Sequence, residues 1–197
     1  MPRERASDYD TKIRLIKDAA AVHFSKTGYT GAKLADIAKT CGVSKSMLYH
    51  YFQTKDELLF SMIDEHLDDV LTSFNEVTVR KQTAEEEFTS MLTVLLQQSA
   101  KSRQRNLVAM NEVKYLPAEL LEKVKEKERS ILAVLEKTLR KLNPNLNNAS
   151  YKSYTLMLTG IINWTDIWFD DKGTLSRQDL VDRVGDLFLN GFLKSTG

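Results

Sequence analysis

The chain has 197 residues, one cysteine, and 28 Lys and Arg against 27 Asp and Glu. It is long enough to bury a core without cross-links, and its lone Cys41 excludes an internal disulfide and suits a reducing compartment. No stretch approaches the ~20 apolar residues that cross a bilayer, and the opening MPRERASDYD lacks the apolar segment of a secretory signal, so a soluble, cytoplasmic protein is expected.

Three prolines and eight glycines in a chain rich in Leu, Lys, Glu and Ala leave few breakers, which predicts an all-α fold. A first helix over about 8–26 has Ile13, Ile16, Ala20 and Phe24 on one face, with Gly28 as its stop. A short second helix over 33–41 places Leu34, Ile37, Ala38 and Cys41 together, and Gly42 supplies the positive φ of a tight reversal. Ser44 caps a third helix whose inward face is Met47 or Leu48 with Tyr51 and Phe52. Thr54 and Glu57 form a capping box for a fourth helix reaching about 77. Thr83 and Glu86 repeat that box for a helix to about 101, and a short helix is expected over 105–115. Pro117 opens another as its first residue, ending near 142. After the turn-rich NPNLNNAS come two apolar helices, about 149–169 and 177–193, the second capped by Ser176.

The near-balance of charge conceals an asymmetry. Through Lys55 there are ten Lys and Arg against five Asp and Glu, so the remainder is net acidic. A basic N-terminal quarter is an electrostatic footprint for a polyanion, where the alternative is a lysine-rich solvated face. In LADIAKTCGVSKSMLYHYF two short helices flank a glycine turn, with small Ala38 at the crossing and Leu48 locking the second helix, as a helix-turn-helix demands. The second helix then fits a DNA major groove. Lys45 and Ser46 near its start reach base edges, and Tyr49 and His50 donate to phosphates. Lys55 stands at the next helix start and Lys33 at the start of the supporting helix. With Ser44, these seven are the candidate DNA-binding residues.

From Ile13 to Leu59 the chain resembles the TetR family of transcriptional regulators. The resemblance is carried by Phe24, Gly28 and Tyr29 (F-x3-GY), DIA at 36–38, GVS at 42–44, and LYHYF-x2-K-x-EL at 48–58. One departure is that the family usually has Thr or Ser where the supporting helix starts and this chain has Ala32 and Lys33, so Gly31 or Thr30 must serve as the cap. The resemblance implies an N-terminal three-helix helix-turn-helix DNA-binding domain, residues 1–55, and a C-terminal helical ligand-binding and dimerisation domain, residues 56–197. It also implies that the last two helices pair with those of a second copy to form a homodimer reading a palindromic operator. The residues offer independent support. Leu180, Val184, Leu187, Phe188 and Phe192 form a stripe too apolar to stay wet, with Tyr151, Tyr154, Leu158 and Ile161 as the facing set. An intramolecular core is the other reading of the same stripe.

The segment NWTDIWFDDKGTLSRQDLVDRVGDLFLNGF, with Trp164 and Trp168 one turn apart, resembles a subgroup of such regulators that govern fatty-acid or aromatic-acid degradation and respond to acyl-CoA thioesters. Two tryptophans at that spacing also suit plain packing. The expected ligand pocket combines Met91, Leu95, Val108, Asn111, Tyr115, Leu135, Met157 and Trp164, and Lys101, Arg103 and Arg105 read either as partners of an anionic head group or as a solvated helix end. No cofactor is expected beyond an effector that is an acyl-CoA thioester or another apolar small molecule, and the implied activity is repression relieved by ligand.

An enzyme is not expected. His23, His50 and His66 are scattered, and HExxH, CxxC, GxSxG and phosphate-cradling glycine loops are missing. His66 near Asp68 and Asp69 reads as a helical charge cluster. A helical protein–protein adaptor is the alternative function, and it leaves the basic quarter unexplained.

Overall fold

A computed structural model describes residues 2–195, and the side chains of 9–97 and 102–195. Among the described residues the secondary structure is helical throughout, without strands: α1 (Pro2–Gly31), α2 (Leu34–Thr40), α3 (Lys45–Tyr51), α4 (Lys55–Thr78), α5 (Ala84–Glu112), a 3-10 turn (Val113–Tyr115), α6 (Ala118–Leu142), α7 (Asn148–Trp168) and α8 (Arg177–Phe192). No helix of the described residues is long and apolar enough to cross a membrane.

The helix ends follow local chemistry. Gly28 takes φ +70°, which an L side chain resists, and there α1 leaves helical geometry before Gly31. Ser44 Oγ accepts from Met47 N–H, Asn147 Oδ1 accepts from Ser150 N–H, and Ser176 and Asp179 form a reciprocal box on α8. Thr83 and Glu86 do the same ahead of α5. The Thr54 box is displaced by one residue: Thr54 Oγ1 accepts from Glu57 N–H, whereas the Glu57 carboxylate reaches the N–H of Gln53. The expected break between the fifth and sixth stretches is a single distorted residue, Ser102 (φ −128°, ψ 28°), inside one helical run. Pro117 accepts from Leu121 N–H and so stands just before α6 rather than inside it. Lys33 occupies the cap position of α2 with no side-chain hydrogen bond, where Gly31 or Thr30 was expected to serve.

The chain divides into two compact units, and α4, α5 and α6 each begin in one and end in the other. The first unit takes Met1–His66 and Gln104–Lys125. Ile16, Phe24, Ile37, Leu48, Leu58, Met62 and Val108 are fully buried within it. At ~1.5–3 kcal/mol per buried large apolar side chain, this is enough to order helices as short as α2 and α3, which would be marginal alone. Arg105 fastens its two segments to each other. The guanidinium donates to Glu65 at 2.6 Å and to Asp18 at 2.7 Å, and buried Lys17 approaches Glu65 at 3.5 Å.

The second unit takes Leu67–Arg103 and Glu126–Gly197. Its core runs through Phe74, Phe88, Met91, Leu96, Leu139, Tyr151, Leu158, Phe188 and Phe192. Phe188 stacks on Phe88 (5.7 Å) and Phe192 (5.4 Å), and Tyr154 meets Phe192 edge-on at 4.9 Å. Two acidic residues, Glu87 and Asp166, are buried in this unit, and Glu87 accepts from Thr138 (2.6 Å) and Lys141 (2.6 Å). Burial alone would raise its carboxyl pKa, but the Lys141 and Thr138 hydrogen bonds outweigh it and hold the group below the ordinary glutamate value.

Candidate nucleic-acid interface

The α2–α3 pair is built on three apolar anchors. Ile37 and Ala38 bury one side of α2, and Leu48 buries α3. Gly42 turns the chain between them at φ +68°. A Cβ there would meet nothing within 4 Å, so only the backbone angle asks for glycine. With Leu48 and Phe52 inward, the 3.6-residue period leaves Lys45, Ser46, Tyr49 and His50 exposed on one side of α3. Met47 is exposed as well, so of the two inward candidates Leu48 holds the core.

An open cleft of about 490 Å³ lies beside this face, lined by Ala32, Lys33, Leu34, Ala35, Lys45, Tyr49, Gln53, Thr54 and Lys55. It brings together four of the seven predicted DNA-binding residues, and three of the four are lysines. The Lys45 ammonium lies 5.7 Å from the centre of the Tyr49 ring. Ser44 and Ser46 stand at the start of α3 and share a hydrogen bond at 3.0 Å, so part of the Ser44 hydroxyl is spent on the cap and part on Ser46. His50 faces solvent with its ring edge-on to Tyr51 at 5.7 Å.

Lys55 is placed differently from the other two lysines. Its ammonium donates to the carbonyls of Tyr29 (2.7 Å) and Ala32 (3.2 Å) and sits 4.2 Å from the Tyr29 ring centre. Two of its three protons hold the corner between α1 and α2, which leaves one for an anion. The Tyr29 hydroxyl donates to Asp56, and burial, then that bond, push the phenol well above its ordinary pKa, so it remains a donor. Tyr29 and Asp56 do not stand out from periodicity; the F-x3-GY spacing is the signal that marks Tyr29.

The residues read as a ligand pocket do not share one environment. Met91 and Leu135 are buried in the second unit's core and Leu95 packs against it. Val108, Asn111 and Tyr115 belong to the first unit, where Asn111 is exposed and Tyr115 stacks on Tyr29 at 5.3 Å. Met157 and Trp164 face solvent, Trp164 with 63% of its surface exposed. The reason is helical phase: α7 buries Tyr151, Thr155, Leu158, Ile162 and Thr165, and positions 157 and 164 fall on the other side. Of the cationic residues considered for a head group, Arg105 is consumed by Glu65 and Asp18, Arg103 donates to the Asp166 carbonyl at 2.7 Å, and the Lys101 side chain lies outside the described residues.

The stripe read as a dimer face is likewise turned inward. Tyr151, Leu158, Leu180, Val184, Phe188 and Phe192 are buried in the second unit, and Tyr154 and Ile161 pack against that core. Leu187 alone of the nine is out, 71% exposed. The apolar residues left at the surface of α7 are Leu156, Met157, Trp164, Ile167 and Trp168. α7 therefore carries two apolar faces, of which the more regular is the core, while α8 leaves Leu187 as its exposed large apolar residue. His66 is buried, while Asp68 is exposed and paired with Lys127 at 2.7 Å. Among the described residues no group of three or more His, Cys, Asp or Glu could hold a metal ion.

Comparison with known proteins matches residues 16–62 to the model of bacterial regulatory proteins of the tetR family, and residues 81–192 to the tetracyclin repressor-like C-terminal domain. A TetR-family transcriptional regulator from Bordetella parapertussis 12822 superposes with a TM-score of 0.87 at 30% identity, covering 94% of this chain and 97% of that one. The fatty acid metabolism regulator protein of Bacillus subtilis (strain 168) is 27% identical over 125 residues, 64% of each chain. The chain spans less than two thirds of the first curated relatives it matches. The crystal structure of FadR from Bacillus subtilis in complex with stearoyl-CoA shares the fold, with a TM-score of 0.73 at 23% identity over 90% of this chain and 98% of that one.

Proposed function

We infer that this chain, which belongs to the TetR family of bacterial regulatory proteins, is a transcriptional repressor that binds a palindromic operator as a homodimer and is released by an acyl-CoA-type effector. The observation that carries the reading is the cleft that gathers Lys33, Lys45, Tyr49 and Lys55 at the exposed side of α3. Residues 1–55 read DNA, and 56–197 sense the ligand and dimerise. Lys45 and Ser46 at the start of α3 address base edges; Lys33, Tyr49, His50 and the remaining proton of Lys55 address phosphates; Ser44 sets the helix start. One α3 covers few base pairs, so a two-fold pair of them is needed for a useful specificity ratio.

The second copy covers Leu156, Met157, Trp164, Ile167 and Trp168 of α7 with Leu187 of α8, apolar residues that a lone chain leaves wet. The stearoyl-CoA bound by the FadR structure supports an acyl thioester as effector, with Met91, Leu95 and Leu135 as apolar contacts for its chain. Ligand binding shifts the protein towards a conformation in which the two α3 helices no longer match both half-sites, and a hundredfold loss of operator affinity requires only ~2.7 kcal/mol of coupling. Such a regulator works in the cytoplasm and catalyses no reaction.

Incubation of the purified protein with sheared genomic DNA, followed by sequencing of the bound fragments, is expected to enrich one palindrome. Stearoyl-CoA added to the enriched duplex should then lower its affinity. Salt-sensitive binding without a shared sequence would refute the specific regulator, and unchanged affinity across acyl chain lengths would refute the thioester effector alone.

A further inference from the structure

We propose that Glu112 and Tyr115, far in sequence from the DNA-binding segment, are positioning residues of the DNA-reading cleft and act through Tyr29 and Lys55. The proposal rests on the reading of that cleft as the operator surface. Every group of Tyr29 is engaged. Its N–H donates to Glu112 Oε2 at 2.7 Å, its ring stacks on Tyr115 at 5.3 Å, its hydroxyl donates to Asp56, and its carbonyl accepts from Lys55. Lys55 carries the contact onward. The same ammonium holds the carbonyl of Ala32, and both Ala32 and Lys55 line the cleft beside Lys33, Lys45 and Tyr49.

The Glu112 carboxylate also lies beside the corner. Gly28 stands at φ +70°, and a Cβ there would lie 3.8 Å from the Glu112 carboxylate, in ordinary van der Waals contact, so that carboxylate is the side chain that borders the α1 turn. All these groups lie in the first unit, which includes Gln104–Lys125. Phosphate contacts fix register only if the elements that carry them are held to within about 0.5 Å, and α2 has no side-chain cap of its own to hold its start. Glu112 and Tyr115 supply that hold from outside the helix-turn-helix. Loss of it costs the specific complex, which needs all contacts in register, more than the non-specific one, which does not.

The test measures, by fluorescence anisotropy, the affinity of Glu112→Ala, Glu112→Gln, Tyr115→Ala and Tyr115→Phe for the duplex enriched by the wild-type protein and for a scrambled duplex of the same composition. Melting temperatures are taken alongside. The Ala variants should bind the enriched duplex about tenfold more weakly and the scrambled one less than twofold more weakly. Their salt dependence should be unchanged, because no phosphate contact is removed. Glu112→Gln keeps an acceptor for Tyr29 N–H, Tyr115→Phe keeps the ring, and both should bind nearly as the wild type does. Wild-type affinity in both Ala variants overturns the proposal, as does an equal loss on both duplexes with a lowered melting temperature, which marks a purely structural role. Should Glu112→Ala fail to fold, the Tyr115 pair decides by the same criteria. A wild-type protein with no preference between the duplexes defeats the operator reading itself, and is seen before any variant is compared.

Discussion

The α2–α3 pair and the α7–α8 pair are both two-helix units, side-chain-capped on every helix except α2, and they divide apolar surface in opposite ways. In α2–α3 the buried side is minimal, Ile37, Ala38 and Leu48, and everything turned outward on α3 except Met47 is polar or polar-tipped. In α7–α8 the buried side is a ring-lined core, yet Trp164, Trp168, Ile167 and Leu187 remain outside it. The first arrangement leaves charge and hydrogen-bonding groups at the surface, as the proposed operator contact requires, and the second leaves hydrocarbon there, as the proposed contact with a second copy requires. A helix with one apolar face is finished within its chain; a helix with two is not.

Neighbouring residues on α8 break the comparison most sharply. Phe188→Ala should cost ~3–5 kcal/mol of stability in denaturant unfolding, since it removes a ring packed on Phe88 and Phe192, whereas Leu187→Ala should stay within about 0.5 kcal/mol for a monomer. Leu187→Arg should instead convert the dimer to monomer in light scattering and reduce operator affinity by about a hundredfold, ~2.7 kcal/mol, with the fold intact by circular dichroism. A dimer that survives Leu187→Arg would place the second copy elsewhere.

On the polar pair the expected effects are smaller. Lys45→Ala should cost ~1–3 kcal/mol and alter which bases are preferred, while Lys33→Ala should weaken binding across sequences and reduce the salt slope by about one; titrations at several salt concentrations separate the two. Glu87 supplies a pH contrast inside the second unit. Its folded pKa lies below the unfolded value, so its contribution is present above about pH 4.3 and is lost as the pH falls through the folded pKa. Melting temperatures should therefore fall in acid, and Glu87→Gln should flatten that decline. Smallest is Gly42→Ala. No atom obstructs the methyl group, so the cost is the positive φ alone, ~1 kcal/mol, read from the shift in unfolding midpoint.

What the sequence discloses follows the range of the interaction. The Ser44, Thr83 and Ser176 caps and the Gly42 turn act over two to four residues, so spacing exposes them. The exposed set Lys45, Ser46, Tyr49 and His50 is legible for the same reason, being the complement of Leu48 and Phe52. The roles of the two apolar faces of α7 are not legible, because period alone marks a face without saying what covers it. The choice of the stripe through Leu158 and Phe188 as dimer face, and of Trp164 as a pocket residue, stems from that ambiguity. Nor does any pattern reveal Arg105 with Asp18, 87 positions apart, or Glu112 with Tyr29, 83 apart: a single long-range pair leaves no periodicity.

Arg105 has a consequence for how the protein is made. Its partners Asp18 and Glu65 are synthesised first, and the rest of the unit they belong to, Gln104–Lys125, leaves the ribosome only after some forty further residues. A nascent chain stopped near residue 66 would lack the guanidinium that joins Asp18 to Glu65 and would have an α1 corner without Glu112, so helices that could form early would lack their final seating. The part that reads DNA is thus among the first to emerge and is completed only when the chain returns to it.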